Sequence, residues 1–419
     1  MMFQPVEWCL NANLYEVNLR QYTTEGNFKA FEEHIPRLKD MGITVLWFMP
    51  ITPISQQNRQ GTLGSYYACS DYTSTNPEFG TVEDFQRLVK VAHDNGLKVI
   101  IDWVANHTGH DHVWTKSNPG FYKKNARGEM YDTNNWHDVF DLNFYDHQLR
   151  RAMIDAMRFW VDNCNIDGFR CDMAHLVPLD FWFDARRELD AIRPLFWLGE
   201  TEQVNYDTVF DCIYGWDWMH QTESYAQKKH GVGQLIDCMN SMRTRFPECF
   251  HLFFTANHDE NSWNGTEYEK YGELALPLAI FSATWTGAPL IYSGQELPNK
   301  RRLKFFDKDT IHWTGKYELH DFYKSILNLR KSSPALSSGG RSKYKLLPSQ
   351  DNSILAFARY LDSSVVIVVL NLGDHDSDLQ FYDPIIRGRF TDIYSQEVQE
   401  LNGELQLHLK RGGYKVLVN

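Results

Sequence analysis

The sequence contains no run of about 18 apolar residues, so it predicts no transmembrane helix. Its N-terminus lacks a basic segment followed by an apolar one, so it does not predict a signal peptide. Positive charge is not in excess either, since 42 Lys and Arg against 54 Asp and Glu give a net charge of −12. That balance argues against binding to a phosphate backbone. We therefore expect a soluble protein that binds neither membranes nor nucleic acid.

The seven cysteines include no CxxC pair, and their number is odd. This pattern is typical of free thiols in a reducing compartment rather than of a disulfide framework or a zinc site. We therefore expect a cytoplasmic protein, although a chain from which an export signal has been removed would show the same sequence pattern. Nothing in the sequence predicts its oligomeric state.

Aromatic residues are numerous, with 13 Trp, 21 Tyr and 26 Phe among 419 residues. Most of them fit large aromatic cores, and some suit a site that stacks on sugar rings. Apolar residues at 43% and charged residues at 23% are typical of a globular protein. The length predicts two or three domains, one of which can be a large barrel.

Short apolar runs alternate with amphipathic stretches over the first three quarters of the chain, which is the pattern of repeated βα units. Eight strands, each followed by a helix, predict a (β/α)₈ barrel. The predicted barrel strands are Asn13–Asn18, Ile43–Met49, Leu97–Asp102, Ile166–Asp172, Leu195–Glu200, Val209–Tyr214, Leu252–Ala256 and Pro289–Ser293. Thr81 and the acids after it predict a capped helix start, and Asn95-Gly96 predicts its end.

The remaining segments predict two further domains. The polar and aromatic stretch 107–145 lacks a helical period and predicts a small excursion domain after the third strand, so that the barrel comprises 1–106 and 146–335. After a turn-rich linker, 340–419 predicts a C-terminal antiparallel β-sandwich. Its predicted strands are Ser353–Tyr360, Ser364–Leu370, Leu405–Leu409 and Tyr414–Val418.

Acidic residues end four of the predicted barrel strands, where the sites of such barrels form. They are Asp102, Asp172, Glu200 and Asp259. Arg170 shares a strand face with Asp172, so its guanidinium is expected to lower the pKa of that carboxyl. Glu200 follows an apolar run, so partial burial is expected to raise its pKa. A nucleophile and an acid of this kind are the two groups that a retaining glycosidase requires.

Four short motifs occur in the order that one enzyme family shows. They are DWVANH (Asp102–His107), GFRCD (Gly168–Asp172), GE (Gly199–Glu200) and NHD (Asn257–Asp259). With supporting stretches such as YACSDY and GAPLIYSGQE, the sequence resembles the α-amylase family of glycoside hydrolases, family 13, over nearly its whole length.

The resemblance implies a role for each motif residue. Asp172 would be the nucleophile, Glu200 the general acid/base and Asp259 the stabiliser of the transition state. The sugar at the cleavage point would be held by four residues, namely Tyr67, His107, Arg170 and His258. His175 stands where many members carry the lysine of a Lys-His pair, and this departure alters a contact on the acceptor side.

The chemistry itself requires no cofactor, although many family members hold a structural calcium ion. Asn106 and Asp141 match two of its usual ligands, and oxygen ligands suit calcium. The Asp-rich calcium loop that some relatives carry after the first strand is missing. The resemblance thus makes calcium an open expectation.

We expect a retaining hydrolase that cleaves α-1,4-glucosidic bonds of starch or malto-oligosaccharides through a covalent glycosyl-enzyme intermediate. A cyclomaltodextrinase or neopullulanase, an α-1,6-glucosidase and a transglycosylase remain open, because they share the three acids. A catalytically silent glycan-binding relative is a more distant alternative, because such a relative would have lost one of those acids.

Overall fold

The computed structural model describes residues 3–419, in which parallel strands close into a barrel followed by an antiparallel sheet. In chain order the strands are β1 (Leu14–Val17), β2 (Val45–Phe48), β3 (Lys98–Trp103), β4 (His107–Gly109), β5 (Val139–Asp141), β6 (Gly168–Cys171), β7 (Phe196–Gly199), β8 (Cys212–Tyr214), β9 (Phe250–Phe253), β10 (Ala288–Tyr292), β11 (Lys343–Leu346), β12 (Ile354–Leu361), β13 (Ser364–Asn371), β14 (Ser377–Asp392), β15 (Val398–Leu409) and β16 (Tyr414–Val418).

The barrel runs in the order β1-β2-β3-β6-β7-β8-β9-β10 and closes where β10 pairs with β1. The C-terminal strands form one antiparallel sheet in the order β11-β12-β13-β16-β14-β15. The predicted (β/α)₈ barrel with a C-terminal β domain is therefore confirmed. The predicted barrel segment starts at residue 1, and residues 1 and 2 lie outside the described part of the chain.

The helices lie outside the barrel strands, except α5, which belongs to the excursion after β3. They are α1 (Leu19–Tyr22), α2 (Phe28–Glu32), α3 (Ile35–Met41), α4 (Val82–Asp94), α5 (Val113–Ser117), α6 (His147–Cys164), α7 (Leu179–Asp190), α8 (Trp216–Ala226), α9 (Val232–Arg245), α10 (Glu267–Tyr271), α11 (Ala275–Thr284) and α12 (His320–Ser332). Residues 3–419 contain no helix with the length and apolar character needed to cross a membrane.

A local sequence signal explains where α4 begins. A short connection explains why the structure lacks the predicted helix between β7 and β8. The Thr81 side chain accepts the Asp84 N–H, and the Asp84 carboxylate accepts the Thr81 N–H, so a capping box starts α4 as predicted. Between β7 and β8, however, the structure has only the short 3₁₀ turn Tyr206–Thr208 instead of a helix. That connection is too short for the predicted helix.

Alternation along the barrel strands separates two cores. In β2, for example, Val45 and Trp47 belong to the inner core, whereas Leu46 and Phe48 pack toward the helices. The same alternation turns Glu16 of β1, Asp102 of β3 and Arg170 of β6 inward, because their strand neighbours pack outward. Polar side chains therefore meet at the carboxyl end of the barrel.

The excursion between β3 and α6 contains α5 and the two-stranded antiparallel sheet β4-β5. His107 pairs with Asp141 in that sheet. The C-terminal sheet packs on the barrel through aromatic contacts of Phe357 with Phe281 and Trp285. The excursion thus lies at the site end of the barrel, where the chain leaves β3.

Candidate active site

One buried guanidinium contacts three of the predicted acidic residues. Arg170 Nη1 lies 2.8 Å from Asp172 Oδ1 and 2.9 Å from Asp102 Oδ1. Its Nη2 lies 2.8 Å from Glu200 Oε2 as an ion pair. Arg170 is fully buried, so little water screens these charges. The structure thus brings the predicted nucleophile and the predicted acid to the same cation.

Backbone hydrogen bonds fix both acids just beyond their strands. The Asp172 N–H donates to the Trp103 carbonyl at 3.0 Å, and the Glu200 N–H donates to the Cys171 carbonyl at 3.0 Å. Each bond continues the pairing of neighbouring strands by one residue. The acids therefore sit on the rigid rim of the barrel rather than on free loops.

Burial dominates the proton affinity of these acids. It raises the pKa of Glu200, as expected, while Arg170 opposes that rise. It also raises the pKa of Asp172, and the neighbouring guanidinium offsets only part of the effect. The predicted lowering of the Asp172 pKa is therefore not found, because desolvation outweighs the guanidinium. Burial likewise raises the pKa of Asp102 to about 7.

His258 links the third acid to the floor of the barrel. Its Nε2 lies 3.3 Å from Asp259 Oδ2, and its Nδ1 contacts Glu16 Oε1 at 2.5 Å. Burial lowers the pKa of His258, but the carboxylates of Asp259 and Glu16 raise it to about 9 overall. His258 is therefore an imidazolium at neutral pH. The Asp259 side chain is 39% exposed and faces the cavity described below.

Tyr67 and His107, two of the predicted sugar contacts, flank the acids. The Tyr67 hydroxyl donates to Asp102 Oδ2 at 3.1 Å and lies 2.7 Å from His258 Nε2. Its ring is parallel to the His258 ring, with centroids 5.4 Å apart. Burial lowers the pKa of His107 to about 4, so its ring is neutral and packs against Trp136.

These groups surround a cavity of about 220 Å³. The three predicted catalytic acids, Tyr67 and His107 line it together with residues that the sequence analysis did not single out. Those further lining residues are Gln60, Ser65, Trp136, Asp138, Val139, Met173, Phe305 and Phe306. Arg170 and His258 lie behind the lining, and His175, half-buried on the 3₁₀ turn Ala174–Leu176, is not part of it.

One carboxylate oxygen of Asp141, a predicted calcium ligand, already has two partners. Asp141 is fully buried, and its Oδ2 accepts from Lys123 Nζ at 2.9 Å and from the Thr133 hydroxyl at 2.6 Å. The Asn106 amide lies 3.3 Å from His107 Nδ1. A divalent ion at this carboxylate would face the Lys123 ammonium, which opposes binding, whereas Asp141 Oδ1 is buried and has no hydrogen-bond partner among the described residues. Calcium at this position therefore stays a prediction. Within residues 3–419, no group of three or more His, Cys, Asp or Glu side chains is arranged to hold a metal ion.

Sequence reasoning missed three buried groups that hold the site together. Glu16 contacts His258, Trp47 Nε1 donates to Asp102 Oδ2 at 3.2 Å, and Arg170 Nε donates to the Tyr214 hydroxyl at 3.0 Å. The sequence could have identified Glu16, because an acid inside the apolar run LYEV shares the inward face of Leu14. Trp47 and Tyr214 look like ordinary core residues in the sequence.

In sequence and in fold, the chain is similar to known α-amylases. The sequence model of the alpha-amylase catalytic domain matches residues 17–124 and 118–193. Alpha-amylase MalA of Haloarcula japonica is 27% identical over 87% of the chain, which spans 56% of that enzyme. An alpha-amylase structure from Lactobacillus plantarum is 28% identical with a TM-score of 0.88, and the match covers 98% of this chain and 99% of that one. The noncanonic maltogenic alpha-amylase AmyB of Thermotoga neapolitana is 27% identical with a TM-score of 0.89, over 97% and 98% of the two chains.

Proposed function

The chain belongs to the α-amylase family of glycoside hydrolases, and we propose that it hydrolyses α-1,4-glucosidic bonds of starch or malto-oligosaccharides with retention of configuration. One observation carries the proposal, namely that Asp172 and Glu200 contact the same guanidinium beside one cavity. A shared guanidinium favours the close carboxyl spacing of retaining enzymes, about 5–5.5 Å, over the roughly 6.5–9.5 Å of inverting enzymes.

Each acid then has a distinct step. Glu200, whose pKa is raised by burial, protonates the glycosidic oxygen while Asp172 attacks the anomeric carbon to form a covalent glycosyl-enzyme. Glu200 then takes a proton from the water that releases the sugar. Asp259 stabilises the positive charge that develops at the anomeric carbon.

The proposed sugar contacts follow from the cavity. Tyr67 offers a ring face, and the neutral His107 and the charged His258 supply hydrogen-bonding groups around the same sugar. Arg170 holds the carboxylates from behind, and His175 is proposed for the acceptor side.

A product time-course tests the proposal. Wild type is incubated with soluble starch, maltoheptaose and pullulan beside Asp172→Asn and Glu200→Gln, and proton NMR follows the anomer released first. We expect α-anomers from starch and maltoheptaose, and a loss of at least about a thousandfold in kcat in each variant. Release of β-anomers would contradict retention, and preferential cutting of pullulan would move the substrate to the neopullulanase alternative. No turnover of any α-glucan would overturn the proposal.

A further inference from the structure

Two loops are tied together at the mouth of the cavity. One follows β2 and contains residues 57–65, and the other follows β10 and contains residues 301–309. The Leu63 N–H donates to the Phe306 carbonyl at 2.9 Å. Asp307 Oδ1 accepts from the Thr62 N–H at 2.9 Å and from the Thr62 hydroxyl at 2.7 Å. The two loops therefore act as one wall.

The wall is anchored to the barrel rather than free to swing. The buried Gln21 side chain donates to the carbonyls of Lys304 at 2.9 Å and Asp307 at 2.7 Å, and its backbone carbonyl accepts the Ile311 N–H at 2.8 Å. Gly61 has a φ of +60°, and a Cβ at that position would stand 2.5 Å from Phe306 Cβ. Such close approach requires glycine, so the loops interlock there.

Aromatic side chains form the inner face of this wall. Phe305 and Phe306 line the cavity beside Gln60. The Phe305 ring is nearly parallel to Tyr67, with centroids 6.2 Å apart. The half-exposed Trp263 ring is tilted against both phenylalanines, with centroids 5.5 and 5.7 Å away. The wall thus stands beside Tyr67, the proposed platform for the sugar that Asp172 attacks.

The part of the cavity near Glu200 is bordered by more exposed residues. Met173 lines that side and is half-buried. The loop after β7 carries Gln203 and Val204 as exposed residues, and Val204 is 53% exposed. Since Glu200 protonates the leaving oxygen, the leaving part of the glucan substrate extends toward this exposed side.

We propose that the wall of residues 57–65 and 301–309 closes the glycone end of the cavity, so that the enzyme removes short units from the non-reducing ends of α-glucans. The inference rests on the proposed function, because it takes Asp172 and Glu200 as nucleophile and acid. The cavity volume of 220 Å³ falls short of the roughly 300–1,000 Å³ of ordinary ligand pockets, which suits one or two sugar units rather than a polymer segment.

A blocked substrate tests the wall directly. Maltoheptaose with a fluorescent tag at its reducing end is compared with the same compound carrying a 4,6-ethylidene group on its non-reducing glucose. For wild type we expect stepwise shortening of the free compound by one or two glucosyl units. We also expect turnover of the blocked compound to be at least about a hundredfold slower, and no opening of β-cyclodextrin, which has no end.

Variants show whether the wall causes this preference. Phe306→Ala opens its inner face, and Thr62→Val removes one tie while leaving the cavity lining in place. Both are expected to raise turnover of the blocked compound at least about tenfold over wild type. Tyr145→Ala, which truncates a side chain that is 95% exposed, is the control and should leave the turnover of both compounds unchanged.

The outcomes separate the two proposals. Equal cleavage of blocked and free maltoheptaose by wild type, or opening of β-cyclodextrin, would contradict the proposed role of the wall and leave the proposed function standing. Unchanged blocking in both wall variants, with normal turnover of the free compound, would also overturn it. No turnover of free maltoheptaose would overturn the proposed function and this inference with it.

Discussion

A single arginine determines the charge arrangement of the site. Arg170 contacts Asp102, Asp172 and Glu200, and all four groups are buried. Three carboxylates together would repel one another without a cation, and burial alone raises the pKa of each. Arg170 offsets part of that cost for Asp172 and Glu200. A lysine at position 170 would supply one ammonium group rather than a planar guanidinium with several N–H donors, so it cannot replace Arg170 in these three contacts.

His258 makes the stability of the protein depend on pH. Its pKa is about 9 in the folded protein and about 6.5 in an unfolded chain. This group therefore stabilises the fold fully below about pH 6.5, and the stabilisation is lost as pH rises through 9. The shift corresponds to about 3 kcal/mol. Replacing Glu16 by Gln removes one carboxylate that raises this pKa, so we expect a shallower fall in the free energy of unfolding between pH 6.5 and 9.

Urea unfolding at pH 6.5, 7.5 and 9 measures that slope. Glu25→Gln, which alters an exposed glutamate between α1 and α2, serves as the control and should follow wild type. Identical slopes for wild type and Glu16→Gln would show that Glu16 does not sustain the charge of His258.

The site residues differ in how far sequence could predict them. The acids stand where apolar runs end, and that position places each one at the barrel rim. The proton affinity of Asp172 could not be read in the same way, because it depends on burial that only the folded barrel creates. Trp47 and Tyr214 contact Asp102 and Arg170 through one polar atom each, and a sequence does not show where that atom points.

At the scale of elements, a lysine fastens the excursion segment. Lys123 Nζ contacts the buried Asp141 carboxylate, and the Lys123 N–H donates to the Asp141 carbonyl at 3.0 Å. Asp141 pairs in turn with His107 of the cavity. We expect EDTA to leave the midpoint of thermal unfolding unchanged, because this ammonium already neutralises the carboxylate.

Removing that ammonium leaves a buried carboxylate without a cation. Lys123→Met should lower the free energy of unfolding by roughly 2 kcal/mol, less than the about 3–5 kcal/mol of a fully buried pair, because Lys123 is partly exposed. Lys124→Met, at the exposed neighbouring position, should match wild type. A large fall in the unfolding midpoint of wild type with EDTA would instead support the calcium expectation.

A second arginine joins the C-terminal sheet to the barrel. Arg359 of β12 is fully buried and donates to the Thr284 carbonyl at the end of α11 and to the Ser337 carbonyl, each at 2.9 Å. A cation at a helix C-terminus satisfies carbonyls that the helix leaves open. Arg359→Met should cost about 3 kcal/mol in urea unfolding, because buried carbonyls would lose their donor. Arg389→Met, on the exposed face of β14, should change little.

The sequence pattern predicts the strands of the barrel better than those of the C-terminal sheet. All eight barrel strands lie inside or beside their predicted ranges, because buried parallel strands are apolar throughout. In the C-terminal sheet, β14 (Ser377–Asp392) was not predicted, since Pro384 and Gly388 interrupt it. Both residues usually argue against a strand interior. The shift in register between Tyr382 and Arg387 accommodates Pro384, and a sequence does not reveal such a bulge.

At the scale of the whole molecule, we expect the negative charge to select against anionic substrates. The chain has a net charge of −12, and the site places Glu16, Asp102, Asp172, Glu200 and Asp259 around the two cations Arg170 and His258. An uncharged glucan gains and loses nothing in such a field, whereas a phosphorylated one is repelled over about a Debye length.

Ionic strength should therefore separate these two kinds of substrate. We expect kcat/KM for maltoheptaose to change by less than about twofold between 20 and 500 mM NaCl, because no charge on the substrate is screened. The same oligosaccharide carrying a phosphate should be a poorer substrate at 20 mM NaCl and recover at least about threefold at 500 mM. Equal salt dependence for both compounds would mean that the charge of the protein does not reach the cavity. Recovery of the phosphorylated compound alone would show that the surrounding carboxylates help to select a neutral sugar.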